Sequence, residues 1–160
     1  MSTPSQTSRK PDDGASASGG FSAEERVAMK QRAAELKAEA RRGSAAEKAA
    51  AEEAAVMAKI AAMQQPDRDL AERLHAIVTD AAPELSPKLY YGQPGWAQNG
   101  KVIVFFRSGL DDKARYSTLG FSVNAKLDND AGLWPSSYAL DHLTDESAEL
   151  IGRMVRRAVG

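Results

Sequence analysis

The sequence predicts an α+β fold: an antiparallel sheet with N- and C-terminal helices packed on it, preceded by a helical hairpin or long helical arm. Three observations lead there. Asn99-Gly100 stands between Trp96-Ala97-Gln98 and Lys101-Val102-Ile103, and Asn-Gly between apolar runs is the strongest short-range hairpin signal, because a type I′ turn needs positive φ at both central residues. Apolar residues at helical spacing precede the β-rich stretch and follow it. Ahead of all three lies charged, Ala-rich text with two capping signals. The 160 residues accordingly divide into a disordered tail (1–20), an Ala-rich charged helical extension (21–65) and an α+β domain (66–160).

The tail is Ser, Thr, Pro, Gly and Asp with almost nothing to bury. Ser22 with Glu25 forms a capping-box signal, and Met29, Ala33, Leu36 and Ala40 recur at 4-3-4 spacing along one stripe of the helix that follows. Gly43 supplies a stop, Ser44 with Glu47 repeats the signal, and Ala49, Val56, Ile60 and Met63 form a second stripe. A hairpin of two helices or one slightly bent rod satisfies this text equally. The thin stripes suit a neighbouring helix, a self-association seam or a protein partner along residues 22–65.

Pro66 fits the first position of the next helix, with Asp67 and Asp69 favourable to the dipole in its first turn. Leu70, Leu74, Ile77, Val78 and Ala81 give it a wide apolar face, and Pro83 and Pro87 end it and bracket a short turn. The β part is expected from about Lys88. Lys101 to Phe106 is nearly continuous β-branched and aromatic, as in a strand covered on both faces. Tyr116 to Val123 alternates, with Leu119, Phe121 and Val123 on one face. Thr144, followed by Asp145 and Glu146, caps a final helix with Leu150, Ile151, Met154, Val155 and Val159 inward, and Arg153, Arg156 and Arg157 suit its negative end.

Composition bounds the chemistry. A net charge of −1 argues against a broad electrostatic grip on nucleic acid or acidic membranes, so no nucleic-acid partner and no membrane partner are expected. Zero Cys removes disulfides, thiolate metal sites and Cys nucleophiles. No signal peptide is visible and no apolar run approaches the roughly 18 residues that span a bilayer, so the expected location is cytoplasmic. There is no Walker A loop and no dinucleotide fingerprint.

Candidate sites are few. Asp141-His142 could orient an imidazole as a general base requires, yet no nucleophile stands in a fitting motif, and no catalytic residue is assigned. His75, beside the apolar face of its helix, has no metal-pairing Glu or His at i+4 and reads as structural. Asp128-Asn129-Asp130-Ala131-Gly132 begins like a calcium loop but places Ala139 where the bidentate Glu belongs. The remaining constellation is aromatic: Tyr91, Gln93, Pro94 and Trp96 around a Gly/Pro-broken turn, joined by Tyr116, Trp134 and Tyr138. These are either the core of a small domain or the lining of a small-molecule or peptide pocket.

The order of segments carries a resemblance. Ala81-Ala82-Pro83-Glu84-Leu85 is followed by Tyr91-Gly92-Gln93-Pro94-Gly95-Trp96, then Gly100-Lys101-Val102, Tyr116-Ser117-Thr118-Leu119-Gly120-Phe121, and Trp134-Pro135-Ser136-Ser137-Tyr138-Ala139-Leu140 before a helix ending Arg156-Arg157-Ala158-Val159. Over residues 66–160 this resembles the bacterial YdhG-like domain of unknown function, often labelled a frataxin-like iron chaperone. The resemblance implies an α+β binding module without enzymatic activity, with iron as its possible cargo. Iron held without His or Cys needs converging carboxylates. Asp128, Asp130, Asp141 and Glu146 are the candidates for that role.

Overall fold

The computed structural model describes residues 20–160, so the tail expected over 1–20 lies outside the described residues apart from Gly20. The described chain divides between Gly43 and Ser44 into two units. Three helices and five strands follow in order: α1 (Ala23–Ala62), α2 (Asp67–Ala81), β1 (Ser86–Tyr90), β2 (Gln93–Gln98), β3 (Lys101–Arg107), β4 (Ser117–Phe121), β5 (Ser137–Leu140) and α3 (Asp145–Ala158). This is the α+β architecture expected from sequence.

In the first unit, Ser22 Oγ accepts the Glu25 amide at 3.1 Å, as its capping signal requires. The helix does not stop at Gly43. It runs without a break for 40 residues, so one continuous helix replaces the hairpin. Glycine costs a helix interior only about 1 kcal/mol, which the surrounding Ala, Glu and Lys offset. Every residue from Gly20 to Ala51 is exposed.

In the second unit the sheet is a meander in the order β1-β2-β3-β4-β5, every pair antiparallel. The Asn99-Gly100 hairpin is present, with φ of 52° and 80°. Residues directly opposed across the ladders share a face, so Trp96, Val104 and Phe121 form one row and Phe106, Leu119 and Tyr138 the next. These rows meet Leu70, Leu74 and Val78 of α2, Ile151 and Val155 of α3, Val56 and Ile60 from the end of α1, and Met63 just after it in one hydrophobic cluster. The last two turns of α1 therefore belong to the domain core, which the expected division at residue 65 had placed outside it.

Several local expectations are corrected. The helix begins at Asp67 with Pro66 as its N-cap, one residue later than expected. Ser86–Tyr90 and Gln93–Gln98 are strands, and only Tyr91-Gly92 turns between them. Pro94 is tolerated because β3 pairs with β2 only from Gly95 onward. Val123 is fully exposed, since β4 ends at Phe121 and the chain turns back through an Ala125 N–H to Ser122 carbonyl bond. Leu150, expected inward, sits 39% exposed on α3.

Candidate functional site

The aromatic constellation does not line a single cavity. Trp96 is buried to 1% in the core, where its indole Nε1–H donates to His75 Nδ1 at 3.1 Å. Pro94 and Gln93 are also buried. Tyr91 points into solvent at 81% exposure from the β1–β2 turn, where its φ is +48°. Trp134, on the loop before β5, and Tyr116, with Arg115 over its ring at 5.2 Å, are both partly exposed. Tyr116 and Tyr138 line two different clefts. Core and surface divide the set between them.

The carboxylate candidates form no metal-holding group among the described residues. Asp128 and Asp130 lie exposed on the loop before Trp134, and Asp128 offers its backbone carbonyl to Arg157 at 3.3 Å. Asp141 approaches His142 Nδ1 at 3.4 Å with both side chains largely solvated, and Glu146 lies in the first turn of α3. Among the described residues no three His, Cys, Asp or Glu side chains are grouped to hold a metal ion. Ser147 shares a cleft with His142, but its hydroxyl is engaged by the cap: it accepts the Thr144 amide at 2.8 Å and donates to the Thr144 carbonyl at 3.1 Å. That geometry does not present it to an imidazole as a nucleophile.

What the fold does build is a polar hub at the start of α2. Asp67, 4% exposed, receives the Ser108 hydroxyl at 2.5 Å and the Leu110 amide at 3.1 Å on Oδ2, and the Ser117 hydroxyl at 3.2 Å on Oδ1. Ser117 Oγ in turn accepts from the Gly109 amide at 2.9 Å, and Ser108 Oγ from Asp111 at 3.1 Å. Gln93 accepts the Ser108 amide at 3.3 Å and donates to Asp111 Oδ2 at 3.0 Å, and Lys59 of α1 donates to that same oxygen at 2.9 Å. These hydrogen bonds hold the Asp111 carboxyl below its ordinary pKa, Gln93 contributing most and Lys59 next. Asp112 is lowered by the paired bonds from Arg107, at 2.9 and 2.8 Å, and Arg107 is correspondingly raised.

Through this hub one carboxylate ties α2 to the β3–β4 loop, and Gln93 and Lys59 add β2 and α1. Its donors are spent on one another, so its chemistry is that of a clamp. The sequence signal for it was slight: Asp67 reads as a dipole residue, and nothing local marks Ser108 or Ser117 as its partners.

The second built feature is an apolar cleft of about 120 Å3 at the β5 edge of the sheet. Tyr138 and Leu140 of β5 face Leu150, Ile151 and Met154 of α3 across it, with His142 at one end. Among the described residues no helix is long and apolar enough to cross a membrane. Comparison with known protein families, with curated proteins and with solved structures finds no match to this chain.

Proposed function

We propose that this chain is a non-enzymatic, cytoplasmic binding module of the YdhG-like kind whose task is to engage a protein partner through the helical arm. The carrying observation is the first half of α1. Every residue there is exposed, and Val27, Met29 and Leu36 stand at least half open to water in a helix otherwise made of Ala and charge. Such residues add little to the folded state where they are, and a 4-3-4 stripe suits contact with another helix. Charged neighbours such as Arg32 and Glu35, paired at 3.3 Å, supply a polar rim to that stripe. The iron role implied by the resemblance has no comparable support, because among the described residues no three His, Cys, Asp or Glu side chains are grouped to hold a metal ion.

A photo-crosslinking amino acid placed at position 36 of the full chain, irradiated in the producing cell, tests the proposal. The expected result is a discrete crosslink to another protein that disappears when Met29→Glu is added while the helical circular dichroism is kept. A crosslink only to a second copy of the chain, or one indifferent to Met29→Glu, would overturn it.

A further inference from the structure

The two edges of the sheet are not equivalent. β1 carries Pro87 and Lys88, residues that discourage another strand from pairing. β5 reads Ser137-Tyr138-Ala139-Leu140, with no Pro, no charge and no irregularity in its register with β4. Phe121 donates its N–H to the Ser136 carbonyl, so bonded pairs alternate from there through Leu119 with Tyr138 and Ser117 with Leu140. The N–H and C=O groups of Ser137 and Ala139 therefore face away from β4, and both residues are exposed.

Beside that edge, unpaired among the described residues, lies the apolar cleft, of a size for one aliphatic side chain, with Leu150 open at its mouth. Two acidic residues adjoin its lining in the chain, Asp141 beside His142 and Glu146 beside Ser147. Asp141 follows Leu140 directly, and Glu146 lies one turn before Leu150 on the same face of α3. Asp145 is nearby but is paired with Arg73 at 3.6 Å. Arg115 lines a separate cleft with Asp141.

We propose that the β5–α3 groove binds an extended peptide of a partner protein as a sixth, antiparallel strand. One apolar side chain of that peptide enters the cleft, and a Lys or Arg on its N-terminal side meets Asp141 and Glu146. Backbone pairing with Ser137 and Ala139 supplies the register, the cleft selects an aliphatic residue, and the acidic pair fixes direction. The proposal does not depend on the one made for the arm.

The test is a backbone-amide NMR titration of the full chain with the capped peptide Lys-Lys-Val-Leu-Val-Thr at low ionic strength. Expected are shifts at Ser137, Ala139, Leu150 and Met154, binding at least about tenfold weaker when both Val are replaced by Pro, and about threefold weaker for Asp141→Asn with Glu146→Gln. Ala139→Pro, which removes an outward N–H, abolishes binding. Should that variant fail to fold, Leu150→Lys at the cleft mouth is expected to do the same. No shift at about 5 mM peptide, shifts confined to other surfaces, or a concentration-dependent dimer that Leu150→Lys dissolves (a second copy as occupant) would overturn the proposal.

Discussion

The Asp67 carboxylate and the Ser108 hydroxyl, 41 residues apart in sequence, meet at 2.5 Å inside the domain. Replacing the carboxylate by a methyl group leaves the Ser108 and Ser117 hydroxyls and the Leu110 amide without their acceptor. Asp67→Ala is expected to cost about 2–3 kcal/mol in urea unfolding, since unpaired buried donors carry their full desolvation penalty. Asp67→Asn is expected to cost distinctly less. Its single oxygen can serve Ser108 and Leu110 while its amide turns to Ser117, whose oxygen can still accept. Equal losses for the two variants would show that the hydrogen bonds are not what the clamp contributes.

The Trp96–His75 bond makes a second, independent case. The buried indole N–H can donate to Nδ1 only if that nitrogen is unprotonated, so the neutral ring carries its hydrogen on Nε2. His75→Leu is expected to lower stability by about 1–3 kcal/mol, whereas His75→Gln, which can offer an acceptor, is expected to lose less. Equilibrium unfolding followed by far-UV circular dichroism checks the order. An indole N–H resonance that moves in His75→Leu confirms that the contact itself is lost.

Asp111 and Asp112 make the β3–β4 loop sensitive to acid. The folded-state pKa values of Asp111 and Asp112 lie below their ordinary values, so each binds its proton more readily in the unfolded chain. Their contribution is present above the ordinary carboxylate range near pH 4 and is lost as pH falls through the lowered folded values. Both side chains are partly solvated, which keeps the effect small. Asp112→Asn is expected to reduce stability at neutral pH by about 0.5 kcal/mol and to flatten the acid limb of a stability–pH curve. An acid limb unchanged in Asp112→Asn would rule out the Arg107 pair as its source.

On the sheet face away from the helices, Phe105 lies across Gly120. A Cβ built on Gly120 would come within 2.2 Å of the ring. Phe105 also packs against Tyr90, with ring centroids 4.8 Å apart, so it cannot swing away without losing that contact. Gly120→Ala is expected to cost about 1–3 kcal/mol, read from the shift of the urea midpoint. Combining it with Phe105→Ala is expected to be less costly than the sum of the two single changes, because the second removes the clash.

Removing residues 1–43 should leave the second unit's unfolding transition within about 0.5 kcal/mol, since every described residue of that stretch is exposed. A larger loss in circular dichroism melts of residues 44–160 would show that the arm supports the core.

Local chemistry made much of this fold legible. Asn99-Gly100 announces its turn because few other residue pairs accept two positive φ values, and Thr144 announces α3 because a cap is a contact within four residues. The apolar spacing of α2 places Leu70, Leu74 and Val78 on the buried face without knowledge of what covers them. What the text did not show are the relations made by tertiary register. Gln93 and Pro94 look like turn residues, yet they open a strand because Tyr91-Gly92 suffices for the reversal. Asp67 looks like a surface residue until Ser108 and Ser117 arrive from the two ends of the β3–β4 loop. The aromatic set is divided for a related reason: positions close along the chain, such as Tyr91 and Trp96, end on opposite sides of the solvent boundary.

The meander bears on how the domain emerges during synthesis. Each strand pairs with the one made just before it, so the whole sheet can assemble in the order of translation. Yet Ile151 and Val155, which seal the rows of Trp96, Phe106 and Leu119, are made only after all five strands. A nascent sheet thus exposes its greasy underside until the ribosome releases α3. Premature stop codons before Asp145 would yield sticky, protease-sensitive fragments rather than slightly weakened domains.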